Sequence, residues 1–238
     1  QNFDTVLYVV DKRQSLHFIQ LFQCVEYFGI DNADFQHIAF GTVNDSLGNP
    51  FKTREGGTKK LIDLFDETKD YIKDINKKLS DSTINILANT ILTYSDLITN
   101  RKTDYKFDLE KFSNISGKTG IYVQYALVRA KTLFHKSELK LKKEFYTTKL
   151  DEKDLSLIHS LMKFEIYSEQ SLNNSEPHHL ADYLYELSNL YNSMYQSDNI
   201  LDNSDLEIMS NKLLITSYFV DYSKLLMESL GIFPVDEM

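Results

Sequence analysis

The chain has 238 residues, enough for one or two domains, and its 8 glycines and 3 prolines are too few for the turns of a many-stranded sandwich or barrel. Apolar residues make up 42% and include 15 Phe and 15 Tyr, so the chain can bury a core of its own and is not disordered. The formal charge of −9, taken as a total, argues against a nucleic-acid partner, because phosphate binding needs lysines and arginines to displace counterions.

In chain order, residues 5–10 (Thr-Val-Leu-Tyr-Val-Val) form a β-branched and aromatic run that predicts a strand buried on both faces of a parallel sheet. Leu16, Ile19, Phe22, Val25 and Phe28 recur at three- and four-residue spacing, and Gly29 follows where a C-terminal cap belongs, which predicts a helix over 15–28. Residues 37–43 read as a second strand. Together these make a βαβ unit, whose ligands collect at the C-terminal strand ends. Cys24, the single cysteine, has no disulfide partner and reads as a small apolar filler on this helix, in a reducing compartment. Asn44 to Gly57 holds Gly48, Pro50, Gly56 and Gly57 and reads as the one mobile loop. Thr58 is placed to cap a helix running to about Lys78, and 83–98 carries helical spacing. After a polar crossover over 100–117 the chain reads as helical to its end, with breaks near 147–152, 173–177 and 197–204. Pro177 suits a first helical turn and Gly231 a C-cap. No internal repeat is evident. No apolar run approaches the roughly 18 residues of a membrane span, and residues 1–20 lack the layout of a signal peptide. A first residue of Gln rather than Met suggests a fragment.

Gly117-Lys118-Thr119 imitates the end of a phosphate loop, but that loop needs a glycine at position 112, which is Phe. The pair His178-His179 near a helix start reads as solvated or capping rather than as a metal site, so no structural metal is expected. The segment Asn49 to Lys60 is more informative. It places Lys52, Arg54, Lys59 and Lys60 with Thr53 and two glycines after a strand, which suits either a polyphosphate or a solvated basic loop.

The string Leu7-Tyr8-Val9-Val10-Asp11-Lys12-Arg13-Gln14-Ser15-Leu16-His17-Phe18, then His37 to Val43, then Pro50 to Thr58, resembles the C-terminal half of the catalytic domain of bacterial arginyl-tRNA synthetases. Tyr94-Ser95-Asp96-Leu97, Thr103 to Asp108, Gly117 to Arg129, Ala181 to Leu187 and Leu230 to Met238 extend the resemblance over nearly the whole chain. It implies a mainly α protein: a partial α/β Rossmann-type catalytic half (1–65, with a helical connector at 66–116) followed by a helical, DALR-like anticodon-binding bundle (117–238). It also implies a class I ligase that activates L-arginine with ATP, Mg2+ riding on the triphosphate, and passes it to tRNA(Arg) in the cytoplasm, as a monomer and away from membranes. On this resemblance Gln14 and His17 line the arginine pocket. His37, Phe40 and Gly41 form the adenine side of the ATP site, with Gly41 permitting close approach. Lys52, Thr53 and Arg54 stand for the KMSKS loop, Thr53 falling where a second lysine would lie. Tyr122, Tyr125, Arg129 and the terminal Met238 meet the anticodon loop, the aromatics by stacking on unpaired bases and Arg129 through its charge and planar surface. From spacing alone Tyr122, Tyr125 and Arg129 share one helical face, and Tyr125 serves equally well as core.

The HIGH signature of class I synthetases is absent: none of the six histidines lies in a His-x-Gly-His context. The chain alone is therefore expected to be inactive and to need the missing N-terminal half of the same enzyme. The alternatives are a stand-alone tRNA-binding fragment or paralogue without catalysis, and a helical protein-interaction module. The charge is unevenly spread: residues 181–238 carry 10 acidic and 2 basic side chains, whereas 129–149 hold seven cations against Glu138 and Glu144. One basic, RNA-facing side follows from that distribution.

Overall fold

The computed structural model describes residues 3–30, 33–45, 48, 60–137, 144–197 and 200–238. Strands β1 (Thr5–Asp11) and β2 (Asp34–Phe40) pair in parallel, Thr5 opposite Asp34 through Asp11 opposite Phe40, with helix α1 (Ser15–Tyr27) as the crossover. Gly29, at φ +67, closes α1: its amide and that of Ile30 return to the carbonyls of Glu26 and Val25, both at 3.0 Å. Alternation sends Tyr8 toward α1, where its ring meets Phe18 and Phe22 at 5.2 and 5.8 Å. The opposite face is open. Leu7 and Val9 are 52% and 65% exposed, which corrects the expectation of a strand buried on both sides. Among the described residues the sheet has two strands, and one helix can cover only one of its faces. For the same reason Leu16, Ile19 and Phe28 of the apolar stripe stay exposed, and Cys24 is an exposed thiol rather than a filler.

The second strand starts and ends three residues before the expected limits. Val43–Asn44 form a separate strand, β3, parallel to β4 (Tyr105–Lys106), so the polar crossover contains a strand and a short helix, α4 (Leu109–Phe112). Helix α2 (Leu61–Ile75) begins after Lys60, whose amide donates to the Asp63 carboxylate at 2.9 Å; the expected cap, Thr58, lies outside the described residues. Helix α3 (Asp81–Leu97) is capped by Ser80, whose hydroxyl accepts from the Thr83 amide.

Among the described residues five further helices follow in the bundle: α5 (Gly120–Lys136), α6 (Glu152–Leu161), α7 (Phe164–Asn174), α8 (His178–Ser197) and α9 (Leu206–Ser229). The break at Met162–Lys163 has no glycine or proline to announce it. Pro177 sits just ahead of α8, its carbonyl accepting from Ala181, rather than inside the first turn. Helix α9 is buried on most of its circumference, with Ile215, Phe219, Leu226 and Met227 fully enclosed and Phe219 stacked on Tyr191 at 4.2 Å. Helix α3 joins this core through Tyr94, whose hydroxyl donates to the Ala181 carbonyl at 2.9 Å and whose burial pushes its pKa far up. Close approach of α3 and α5 requires Gly120, where a Cβ would lie 2.7 Å from the Thr90 methyl and 2.8 Å from its carbonyl.

The chain divides into two compact units, residues 1–58 with 99–108, and 59–98 with 109–238. Helices α2 and α3 fall in the second of these units by their contacts, and on sequence 66–116 is assigned to the catalytic part as a helical connector. Among the described residues no helix is long and apolar enough to cross a membrane.

Candidate functional site

The first unit presents the C-terminal ends of β1 and β2 side by side. Asp11 ends β1 and caps the turn that follows: its carboxylate accepts from the Arg13 backbone amide at 2.8 Å and from the Arg13 guanidinium at 2.9 and 2.6 Å. Hydrogen bonding to Arg13 holds the Asp11 carboxyl below its usual range. Gln14 and His17 follow, exposed at the start of α1. His37 stacks on Phe18 at 4.5 Å and its Nε2 donates to the Val10 carbonyl at 3.0 Å, so the ring is turned toward α1. Phe40, three residues on, lies on the opposite, open face and is 40% exposed. The structure therefore separates His37 and Phe40 across the sheet.

Gly41 meets its requirement within the chain. A Cβ there would fall 2.7 Å from the Thr103 carbonyl carbon and oxygen and 2.8 Å from Asp104 Oδ1, and the Gly41 amide donates to the Arg101 carbonyl at 2.6 Å. The glycine admits the 101–104 segment, where the sequence reading had it admit a nucleotide. Asp104 also accepts from the Thr42 amide at 2.7 Å and pairs with Lys12 at 2.9 Å. The Thr42 amide, followed by the Lys12 ammonium, holds its pKa down at about 2. Lys52, Thr53 and Arg54 lie outside the described residues.

In the second unit α5 and α8 lie side by side, and partners rise together in number along the two helices. Lys118 pairs with Asp182 at 2.6 Å and its ammonium lies over the Tyr185 ring. Tyr122 packs on Tyr185 at 5.5 Å and donates its hydroxyl proton to Asn189 Oδ1 at 2.6 Å. Arg129 donates to Asn192 Oδ1 at 2.8 Å and to the Tyr125 hydroxyl at 2.6 Å, with its guanidinium over the rings of Tyr125 (4.5 Å) and Tyr195 (4.8 Å). Tyr122, Tyr125 and Arg129 are each half-buried: the row is neither core nor loosely solvated. Arg129 offers no bare plane for stacking, since aromatic rings already lie against it. Two of its five N–H donors are used among the described residues, which leaves a hydrogen-bonding edge between two tyrosines.

Sequence reasoning missed the α8 half of this row. Asp182, Tyr185, Asn189, Asn192 and Tyr195 recur at three- and four-residue spacing, a polar and aromatic stripe that was available to find it. The basic stretch is partly neutralised: Lys131 pairs with Asp236 at 2.7 Å and Lys149 with Asp205 at 2.8 Å, while Lys136 is exposed and Lys140, Lys142 and Lys143 lie outside the described residues. The His178-His179 pair is half-buried, with His179 Nε2 at 3.3 Å from Glu176, a carboxylate that precedes the pair. Glu176, His178 and His179 bring their donor atoms within 4.8 Å of one another.

Two family models match the chain, and they divide it at a different place from the two contact-based units. Residues 1–109 match the model of class I tRNA synthetases (R), catalytic domain, and residues 123–238 match the DALR anticodon binding domain. The chain is 40% identical over 220 residues to an arginine–tRNA ligase of Francisella tularensis, covering 86% of this chain and 37% of the relative. It is 33% identical over 246 residues to one of Alcanivorax borkumensis, covering 99% and 42%. Among solved structures, arginyl-tRNA synthetase from Plasmodium falciparum superposes with a TM-score of 0.80 at 27% identity, covering 100% of this chain and 42% of that one. The fold also matches the Thermus thermophilus arginyl-tRNA synthetase with a TM-score of 0.84 at 21% identity, covering 99% and 41%. The chain thus spans about two fifths of the length of these proteins. With one part matching the class I arginine catalytic domain and the other the DALR anticodon domain, in that order, the chain matches arginyl-tRNA synthetases over nearly all of its length.

Proposed function

We propose that this chain is the C-terminal part of an arginine–tRNA ligase, supplying part of the ATP site and the bundle that binds the anticodon region of tRNA(Arg). In the whole enzyme the arginine carboxylate attacks the α-phosphorus of ATP, bound as its Mg2+ complex, and pyrophosphate leaves. A ribose hydroxyl of the terminal adenosine of tRNA then attacks the carbonyl carbon, and AMP leaves. Gln14 and His17, exposed at the β1 end, are proposed for arginine, and His37, Phe40 and Gly41 for the adenosine side. His37 would act through the position of Phe18 and Gly41 through the segment it admits. Lys52, Thr53 and Arg54 would stabilise charge on the departing pyrophosphate. Cytoplasmic location and a monomeric state belong to the same reading.

The observation that carries the proposal is the α5–α8 row. Four half-buried tyrosines (Tyr122, Tyr125, Tyr185 and Tyr195) and a clamped arginine edge, interleaved with Asn189 and Asn192, offer stacking faces and directed donors to unpaired bases. Two assays test it. The 238-residue chain should bind tRNA(Arg) with an affinity that falls steeply with salt, and it should show no arginine-dependent pyrophosphate exchange. Exchange should return when a polypeptide supplying the remainder of the relatives' length is added. Pyrophosphate exchange by the chain alone would refute the division of labour, and salt-independent or absent tRNA binding would refute the role of the bundle.

A further inference from the structure

Helices α7 and α8 are joined by a turn that its own backbone closes. Ser175 takes φ +51 and ψ +44, a left-handed conformation uncommon for a residue with a side chain, and the Glu176 amide returns to the Ser171 carbonyl at 2.9 Å. Pro177 fixes the next φ. The Glu176 and Pro177 carbonyls then accept from the His179 and Leu180 amides at 3.3 and 3.1 Å, so α8 begins within the turn.

Consecutive residues inside a helix point about 100° apart. His178 and His179, at the very start of α8, instead bring their rings together, centroids 4.1 Å apart and planes 33° apart. Glu176 joins them from the other side of the proline. Its Oε2 lies 3.3 Å from His179 Nε2, and one donor atom from each of the three residues lies within 4.8 Å of the other two. Four-coordinate zinc, with bonds of about 2.0–2.1 Å to nitrogen and oxygen, sets neighbouring donors about 3.4 Å apart. The Glu176–His179 edge already has that length. Closing the other two edges takes at most about 1.4 Å of movement, which a rotation of the His178 side chain can supply.

Burial and charge fit the same use. The Glu176 and His179 side chains are 15% and 27% exposed and His178 is half-buried, sheltered enough to strengthen attraction to a cation and open enough to admit one. Asp182, one turn further along α8, is held by Lys118 at 2.6 Å, which leaves the fourth position to water. The N-terminus of α8 opposes a cation with roughly half a positive charge, and the full negative charge of Glu176 outweighs it. Two imidazole nitrogens and a carboxylate oxygen suit zinc and its neighbours in the first transition row, whereas calcium and magnesium take oxygen ligands.

We propose that Glu176, His178 and His179 form a binding site for a divalent transition-metal ion, Zn2+ foremost, which ties the α7–α8 turn to the first turn of α8. None of the three residues belongs to the α5–α8 row, so the site stands whether or not the bundle binds RNA. The competing arrangement puts a proton in place of the metal, leaving a His179–Glu176 ion pair and nothing more.

The test uses the full 238-residue chain without an affinity tag, stripped with a chelator and titrated with zinc chloride. Calorimetry should find one saturable site per chain. Zn2+ at about 100-fold above the dissociation constant should raise the melting temperature by about 5 °C or more, and the same concentration of Mg2+ should not. In a histidine-labelled chain, two of the six imidazole signals should shift with the first equivalent. Glu176→Gln, His178→Gln and His179→Gln should each weaken binding at least about tenfold, since even the outer partners of metal ligands are worth that much. His159→Gln, at an exposed position on α6, should leave binding unchanged. Where a variant does not fold, the imidazole signals of the wild-type chain decide. The absence of a saturable site overturns the proposal, as do six imidazole signals that move together, an equal response to Mg2+, or wild-type affinity in Glu176→Gln.

Discussion

Lys212 on α9 is 1% exposed and its ammonium donates to Asp151 Oδ2 at 2.8 Å and to Asp154 Oδ1 at 2.9 Å. Asp154 is likewise 1% exposed, whereas Asp151 is 47% exposed and also caps α6. Replacing Lys212 by Met keeps the volume and removes the charge. Asp151 can turn to water, but Asp154 is left as a buried carboxylate with no cation. Stranding one partner of a buried pair costs about 3–5 kcal/mol. For a chain of this size that corresponds to a fall in melting temperature on the order of 10 °C. The companion variant Lys212→Met with Asp154→Leu removes both buried charges and should recover most of the loss. The assay is thermal unfolding followed by circular dichroism at 222 nm. A drop of less than about 2 °C in the single variant, or a double variant no more stable than the single one, would refute the reasoning. The pH dependence has a definite sign. Burial raises the Asp151 pKa, but hydrogen bonds from Lys212 and from backbone amides outweigh it and the net shift is downward. Its stabilisation is therefore complete above the unfolded value near ~3.9 and fades as pH falls through the lower folded value. Burial lowers the Lys212 pKa, and the two carboxylates more than reverse that, so its stabilisation is complete below about 10.4 and fades at higher pH.

Arg129→Ala should weaken tRNA(Arg) binding about tenfold while costing roughly 1–2 kcal/mol of stability, since it removes two hydrogen bonds and two ring contacts at a half-buried site. Arg129→Lys should fall between, keeping charge but not the fork; filter binding at low salt measures both, and unchanged affinity in the alanine variant would count against the assignment. For Asp104, a carbon-detected NMR titration should find the carboxyl near the value of about 2 set first by the Thr42 amide and next by Lys12. Its contribution is present above the unfolded value of about 3.9 and lost as pH falls toward 2, and Lys12→Met should raise the midpoint only part of the way. A wild-type midpoint at about 3.9 would show that the Thr42 contact does not form in solution.

The sequence by itself determined the kinds of element and most of their positions. The β-branched run at 5–10, the apolar spacing of 15–28 and 83–98, and Gly29 and Gly231 at helix ends are signals written into neighbouring residues, and the structure places elements where they point. The same local signals could not say what covers a surface. Leu7, Val9 and Leu16 have the composition of a core and stand exposed, because burial depends on a partner layer that this two-stranded sheet lacks among the described residues. They could not place the break at 162–163 either, since no glycine or proline marks it. The candidate RNA row shows the same division. Tyr122, Tyr125 and Arg129 were legible from spacing on α5, whereas Asn189, Asn192 and Tyr195 joined them only when packing laid α8 alongside. Gly41 and Gln124 mark the limit of what a sequence can determine. A motif records that a glycine or an amide is required, but only tertiary structure reveals that Gly41 admits Thr103 and that Gln124 holds Phe233 and Val235, because those contacts join residues 62 and 109–111 positions apart.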